Sequence, residues 1–334
     1  MPAKRSTLKT TANNKPNTLK TASPGSKNVV GRFAPSPTGR MHAGNIFAYL
    51  MAWLCAKACG GKIVLRIEDI DTQRSKPEFA VQIQRDLELL GLEWDGRPVF
   101  QHNRGEAYAQ ALEVLKQKSC VYPCFCSRAS LHAASAPHGA QANVYLGTCY
   151  NLSEVQREEK LAANRQHALR LHVPSKTVTF DDLLQGRCSQ NLETECGDFI
   201  VRRADGAFAY QLACVVDDAA QGVTQVVRGV DLISSTPRQI HLQQLLGLKR
   251  PAYLHIPLFV DTNKTRLAKR NASASLDEML KQFKTPAGVI GHIAYVAGLI
   301  GTDEPATPQE LLKGFRLDNI ADTLKSKTEI VWEG

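Results

Sequence analysis

Two prolines, Pro35 and Pro37, stand between a run of β-compatible residues and a run with helical spacing, and they fix what this part of the chain can become. Upstream, Val29, Val30, Phe33 and Ala34 are apolar and suit a strand. Downstream, Ile46, Tyr49, Leu50, Trp53 and Leu54 recur at i, i+3, i+4, i+7 and i+8, the period of a helix with one buried face. Proline has no N–H and a locked φ, so neither a central strand nor a helix interior accommodates the pair. Gly31 to Asn45 must therefore run from strand through a turn into a helix N-terminus. At such a junction in an α/β sheet, the free N–H groups and the helix dipole attract an anion, and small residues let it approach. His42 and Asn45 stand there, three residues apart. The glycine spacing is neither GxGxxG nor GxxxxGK[ST], which disfavours a dinucleotide fingerprint and a P-loop. An ordinary turn in which His42 only caps or packs is the competing reading at this stage.

The pattern continues as β-α-β-α-β-α. It predicts strands at Ile63–Ile67 and Val99–Gln101 and helices at Glu78–Leu90 and Glu106–Lys118, with Pro77 in a first turn and Gly91 as a stop. Alternating strands and helices imply a parallel, doubly wound sheet whose ligand crevice lies at the strand carboxyl ends. Leu65 to Arg74 places Glu68, Asp69 and Asp71 with Arg66 and Arg74 just past the second strand, on that crevice edge. Further on, the pattern predicts a helix at Leu152–Asn164, strands at Ala168–Val173 and Thr177–Phe180, and a hairpin from Asp198 to Tyr210 turning at Asp205-Gly206. Then come a helix at Gln211–Asp218, a strand at Gln225–Arg228, a helix at Pro237–Leu246 and a strand at Ala252–Val260. Helices at Leu276–Phe283, Ala287–Leu299 and near Pro308–Phe315 form a short helical region at the end.

A chain of 334 residues with 43% hydrophobic content suits a soluble protein of two or three packed units. No apolar run approaches the ~18 residues that span a bilayer, and no signal-peptide pattern opens the chain, so no membrane partner is expected. Nine scattered cysteines suit a reducing compartment, and a cytoplasmic protein with some thiols as metal ligands is expected. Cys124 and Cys126 form a C-x-C pair with convergent thiolates, and Cys149 supplies a third. A tetrahedral zinc site needs a fourth donor, for which Tyr145, His132 and His138 are candidates, histidine being the commoner zinc ligand. Six of the nine net positive charges sit on Lys4, Arg5, Lys9, Lys15, Lys20 and Lys27. Residues 1–27 are too polar to bury a core and are expected to be a disordered basic extension, so an RNA-binding face elsewhere must come from local patches.

Arg32 to Asn45 meets every fixed position of the run R-F-A-P-S-P-T-G-x-x-H-x-G-N. It resembles the "HIGH" signature of class I aminoacyl-tRNA synthetases, in the form used by the glutamyl and glutaminyl branch. The resemblance continues through R-I-E-D-x-D at Arg66–Asp71, Y-Q-L-A-x-V-x-D-D at Tyr210–Asp218 and R-G-x-D-L-x-x-S-T at Arg228–Thr236. Arg266-Leu267-Ala268-Lys269-Arg270 resembles the "KMSKS" loop, with Ala268 in place of serine and Arg266 in place of the first lysine. The match spans about residues 29–272. It implies a Rossmann-type core that activates L-glutamate with ATP and Mg²⁺, giving glutamyl-adenylate and pyrophosphate. By carry-over, Arg32, Phe33, Ala34, Pro35, Ser36, Glu68, Tyr210 and Arg228 form the glutamate pocket. Glu68 faces the ammonium group, and Arg32 and Arg228 face the two carboxylates. Thr38, Gly39, His42, Gly44 and Asn45, with Arg266, Leu267, Ala268, Lys269 and Arg270, would bind ATP; His42, Asn45 and Lys269 would act on the transition state.

The C-x-C…Y-x-x-x-C pattern resembles the zinc knuckle of glutamyl-queuosine tRNA(Asp) synthetases, which implies one structural zinc on Cys124, Cys126, Tyr145 and Cys149. The gap between Cys126 and Tyr145 is longer here, through the insert Ala133–Asn143. The expected layout is a first half of the core at 28–120, an inserted subdomain with the knuckle at 121–195, a second half at 196–272 and a helical region at 273–334. No anticodon-binding domain is expected. The resemblance thus implies transfer of glutamate to the queuosine base at the wobble position of tRNA(Asp); a monomer is expected. A truncated glutamyl-tRNA synthetase charging the 3′ end, and a non-catalytic RNA-binding module, are the alternatives.

Overall fold

A computed structural model describes residues 29–126, 144, 145, 147–163, 166–267 and 274–332. Strand β1 (Val30–Phe33) ends at the proline turn, and helix α1 (Ala43–Lys57) follows it. Next come β2 (Lys62–Ile67), α2 (Pro77–Leu89), β3 (Val99–Phe100) and α3 (Gly105–Gln117). The middle of the chain supplies β4 (Val121–Cys124), α4 (Glu154–Ala162), β5 (Ala168–Leu171), β6 (Thr177–Asp182), β7 (Gly186–Asn191) and β8 (Phe199–Arg202). Then follow α5 (Tyr210–Ala220), β9 (Gln225–Gly229), α6 (Thr236–Leu246), β10 (Ala252–Ile256) and β11 (Leu258–Val260). The described chain closes with α7 (Leu276–Phe283), α8 (Pro286–Val296), α9 (Pro308–Gly314), α10 (Leu317–Leu324) and β12 (Glu329–Val331).

β1 pairs with β2, and β2 with β3, all parallel; β9, β10 and β6 form a second parallel set, with β7 antiparallel at its edge. The two sets meet at Val30, whose carbonyl accepts the Thr224 N–H at 2.9 Å and whose own N–H donates to Thr224 Oγ1 at 2.9 Å. β1 and β9 consequently stand side by side, and the carboxyl ends of β1, β2, β9 and β10 open on one edge. This is the expected parallel α/β architecture, with its crevice where such sheets bind ligands. β4, β5 and β8 make a separate antiparallel sheet that carries the cysteine pair.

Several elements differ from the sequence reading for identifiable reasons. β7 is polar apart from Cys188, and it buries only Cys188 and Gln190, so hydropathy alone hides it. Asp182 caps the β6–β7 turn by accepting the N–H groups of Leu184 and Gln185 at 3.0 and 2.9 Å. The strand expected at Ala252–Val260 is two strands, because Pro257 cannot donate to a ladder; past it, β11 pairs in parallel with β12. The hairpin expected to end at Tyr210 closes at a single bridge between Arg202 and Phe208, and Tyr210 opens α5 instead. Helix α10 and strand β12 were not anticipated.

The helices after residue 275 do not stand apart from the sheet. Leu276, Met279, Ile290, Ile293, Leu324 and Trp332 share one apolar core with Phe33, Ile46, Phe47, Leu50 and Leu54. Within that core Gly291 lies so close to the 304–306 backbone that a Cβ would sit 1.9 Å from the Glu304 carbonyl oxygen. Backbone cannot yield as a side-chain tip can, so Gly291→Ala is expected to destabilise the fold by about 1–3 kcal/mol, as overpacking does. A urea midpoint equal to that of the parent would contradict this packing.

Candidate active site

Arg32 on β1 and Arg66 on β2 are both buried, and both reach one carboxylate, Asp218 of α5. Arg66 Nη1 donates to Asp218 Oδ1 at 2.7 Å and Arg32 Nε at 3.1 Å. Arg66 also donates through Nη2 to Glu68 Oε1 at 3.1 Å and through Nη1 to Gln221 Oε1 at 3.1 Å. Burial works to raise the Asp218 carboxyl, but Arg66 and Arg32 more than reverse it and hold the group below its ordinary range. For Glu68 the balance falls the other way: burial raises it beyond what Arg66 and Arg32 recover. Arg66 engages Glu68 through Oε1, from both Nε and Nη2.

Arg228, on β9, is 5% exposed. Its Nε donates to His255 Nε2 at 3.0 Å and its Nη2 to Thr236 Oγ1 at 2.8 Å, while Nη1 is buried with no partner among the described residues. His255 in turn holds Asp182 through Nδ1 at 2.6 Å. Burial lowers the His255 pKa, outweighing the carboxylate beside it. The Tyr210 phenol is raised chiefly by burial, and its charge environment includes Arg228, Glu68 and Arg32. Arg32, Glu68, Tyr210 and Arg228 thus share one charge environment. Tyr49 joins them from α1: its phenol is raised by burial and then by Glu68, and lowered by Arg32. Helical spacing had placed Tyr49 on an apolar face, where its ring does meet Phe33 at 5.3 Å between centroids. Phe33 itself is fully buried in the core, so its contribution here is to shape the wall.

The turn after β1 is tied down by its neighbours. Pro35 O accepts the Glu68 N–H at 2.8 Å, and Pro37 O accepts the Lys76 N–H at 2.9 Å. Ser36 is exposed, while Thr38 and Gly39 are half-buried. His42, 7% exposed, is the N-cap of α1, and its N–H donates to Asn45 Oδ1 at 3.3 Å. A Cβ at position 44 would lie 3.2 Å from His42 Cε1, so the glycine lets the imidazole fold over the helix start. The last helices close on this loop: the Leu276 N–H donates to Met41 O at 3.1 Å, and His42 bridges Ser275. Arg40 adds ion pairs to Asp277 of α7 and, at 3.7 Å, to Asp86 of α2. Arg266 pairs with Asp231 at 2.5 Å, and Leu267 is buried and donates to Phe259 O at 3.1 Å. Ala268, Lys269 and Arg270 lie outside the described residues.

In the antiparallel subdomain, the sulfurs of Cys124, Cys126 and Cys149 lie within 4.8 Å of one another. The Tyr145 hydroxyl is 3.7 Å from both Cys124 Sγ and Cys126 Sγ and accepts the Cys149 N–H at 2.7 Å. Burial raises Cys149, but the Phe125 N–H and then Tyr145 and the other two thiols outweigh it and bring the thiol below its ordinary range. Gly197 (φ +66°) lets the chain pass against Tyr145, where a Cβ would be 2.7 Å from the Tyr145 nitrogen. Three convergent sulfurs beside a phenol form a donor set that could hold a metal ion. His132 and His138 lie outside the described residues; of the three candidates for a fourth position, Tyr145 is the one described, beside the three sulfurs.

Three residues that complete these sites escaped the sequence reading: Asp218 as the shared anion, His255 as a partner of Arg228, and Asp182 behind it. Asp218 closes the Tyr210–Asp218 run, but nothing local tells which residues it meets, and His255 and Asp182 have no signature at all; each acts on a residue 27 to 186 positions away.

Residues 28–298 match the family of class I tRNA synthetases (E and Q), catalytic domain. A glutamyl-Q tRNA(Asp) synthetase of Nitratidesulfovibrio vulgaris is 46% identical over 84% of this chain and 90% of that protein. One of Symbiobacterium thermophilum is 45% identical over 87% of this chain and 94% of that protein. In fold, the chain is similar to a glutamate-tRNA synthetase of Elizabethkingia anophelis, with a TM-score of 0.77 at 24% identity over 92% of this chain and 68% of that one. The signature turn, the buried arginines and these likenesses agree: the chain belongs to the class I tRNA synthetase family of the glutamyl and glutaminyl branch.

Proposed function

We propose that this protein activates L-glutamate with ATP and transfers it to the queuosine base at the wobble position of tRNA(Asp). The observation that carries this reading is the likeness, at 46% identity across 84% of the chain, to a protein named glutamyl-Q tRNA(Asp) synthetase. The charge of the pocket supports the first half independently. Three guanidinium groups (Arg32, Arg66, Arg228) face two carboxylates (Glu68, Asp218), leaving one positive charge in excess. Zwitterionic glutamate carries one net negative charge, and glutamine none. Arg228 Nη1 is the natural partner of a substrate carboxylate, and Glu68 of the ammonium group.

In the first step a carboxylate oxygen of glutamate attacks the α-phosphorus of ATP, and the bond to the β-phosphate oxygen breaks, releasing pyrophosphate. A hydroxyl of the queuosine cyclopentenediol then attacks the adenylate carbonyl; it loses its proton as AMP departs. No side-chain nucleophile is required, so catalysis is positioning and charge stabilisation. His42 and the first N–H groups of α1 would bind phosphate oxygens, Asn45 would fix the His42 backbone, and Lys269 would steady the departing pyrophosphate. Mg²⁺ bound with ATP would neutralise phosphate charge. A structural Zn²⁺ would sit on Cys124, Cys126, Cys149 and Tyr145, tying the chain around residue 145 to β4. We place the reaction in the cytoplasm, where tRNA and ATP meet, with the protein acting as a monomer.

Three outcomes are expected. With ATP, labelled glutamate and queuosine-containing tRNA(Asp), nuclease digestion should leave the label in an anticodon-loop fragment; label on the 3′-terminal adenosine would show charging instead. His42→Ala should lower ATP–pyrophosphate exchange by about 10²–10³-fold, as loss of one preorganised donor does, with glutamate binding by calorimetry near that of the parent. Elemental analysis should find about one zinc per chain, as a single tetrahedral site requires; a folded, active, metal-free preparation would refute the zinc assignment.

A further inference from the structure

The guanidinium of Arg228 is held along one edge and bare on the other. Nε and Nη2 are engaged by His255 and Thr236, and the buried Nη1 meets no partner among the described residues. Arginine has no acceptor and is always charged, so His255 Nε2 must offer a lone pair to Nε–H. The other face of the imidazole decides how it can do so. Asp182 Oδ1 accepts three backbone N–H groups, from Leu184 at 3.0 Å, Gln185 at 2.9 Å and His255 at 3.2 Å, and Oδ2 lies 2.6 Å from His255 Nδ1. A carboxylate so surrounded by donors stays ionised and accepts from Nδ1–H. Nε2 also lies 3.3 Å from Thr236 Oγ1, a hydroxyl that can donate to it or accept from it. The Arg228 N–H can only donate, so the neutral Nδ1–H tautomer is the one that satisfies Asp182 and Arg228 together, an imidazolium setting N–H against N–H at Arg228. Both His255 and Asp182 are fully or almost fully buried, with no water-exposed alternative for either.

We propose that His255 is a positioning residue for amino-acid selection: fixed as a neutral acceptor by Asp182, it sets the rotation of the Arg228 guanidinium so that Nη1 meets the substrate carboxylate. Strand register makes this geometry durable. His255 is opposite Arg228 in the β9–β10 ladder, and Asp182 ends β6, the next strand over. The three residues are thus neighbours across three adjacent parallel strands, and the chain Asp182–His255–Arg228 runs across the sheet toward the pocket. This inference rests on the assignment of Arg228 to the glutamate pocket made above.

Two substitutions separate the roles of the ring nitrogens. Asparagine reaches only as far as Nδ1 and keeps the Asp182 contact; glutamine reaches as far as Nε2 and restores an acceptor for Arg228. In glutamate-dependent pyrophosphate exchange, His255→Asn should raise the KM for glutamate on the order of 10- to 100-fold, the scale of a lost hydrogen bond to a charged group. The KM for ATP should stay near that of the parent, and the preference for glutamate over glutamine should narrow. His255→Gln should recover most of the loss. Equal changes in both KM values, or a lower melting temperature with parental KM for glutamate, would overturn the proposal. Arg228→Ala separates it from the underlying reading: a parental KM for glutamate there removes Arg228 from the pocket, whereas a raised one beside a parental His255→Asn defeats only the role of His255. Imidazole ¹⁵N NMR of the unaltered protein at neutral pH gives a check that needs no variant. It should report Nδ1 protonated and Nε2 bare; the reverse tautomer or an imidazolium would overturn the proposal.

Discussion

The carboxylate of Asp218 is the joint on which the catalytic half of this protein depends. It draws two buried guanidinium groups, one from β1 and one from β2, onto the helix that precedes β9. None of the three charges could be buried alone, since desolvation of an isolated ion costs several kcal/mol even after relaxation. Removing one member leaves the others uncompensated, a loss of about 3–5 kcal/mol in comparable buried pairs. The residue before it performs a parallel task. Asp217 is fully buried and accepts from Gln101 Nε2 at 2.8 Å, Arg104 Nε at 2.9 Å and Tyr108 Oη at 2.6 Å, which seats α3. Two consecutive acids on one helix point about 100° apart, so one turn of α5 fixes both the strands and the neighbouring helix.

That joint also determines the chemistry available at the crevice. Because Asp218 neutralises part of the Arg32 and Arg66 charge, the pocket keeps a small positive excess rather than three free cations. Arg66 further restrains Glu68, so a carboxylate is held at the pocket wall by a residue that itself never needs to touch a ligand. Arg228 is supported differently, by neutral acceptors on an adjacent strand and at the start of α6. A cation whose fixed partners are neutral retains its full charge for an anion arriving at Nη1.

Much of this was legible in the chain because it is written locally. Pro35 and Pro37 force the turn, and the apolar spacing from Ile46 to Leu54 gives α1. The cysteine pair and Cys149 also converge as their spacing suggested. What remained hidden acts at a distance or in the absence of hydropathy. Arg66 and Asp218 are separated by 152 positions, and His255 reads as one more residue of a strand. β7 hides because its side chains are mostly amides and hydroxyls, and Pro257 marks a break that an apolar run conceals. The helices after residue 275 have obvious amphipathic faces, but only the structure shows those faces closing on α1 and on the signature turn.

Arg170 shows how the antiparallel subdomain handles charge. It is 1% exposed, yet it has no carboxylate partner among the described residues. Its bonds go to Cys124 Sγ, at 3.1 Å from Nε, and to the Asp198 carbonyl, at 2.7 Å from Nη1. The guanidinium also lies 3.9 Å over the Tyr145 ring. A cation buried in this way needs negative charge nearby, and the three thiols and the phenol would provide it if they bound a metal ion, because the thiolate is the ligating form. Four anionic donors around one divalent ion would leave the cluster negative, which a guanidinium packed against two of those donors offsets. The same residue sits on β5, between β4 and β8, so the sheet that carries the cysteine pair also supplies the cation beside it. In both halves of the protein, then, a buried arginine ties a strand to a cluster beside it, Arg66 to Asp218 and Glu68, and Arg170 to Cys124 and Tyr145.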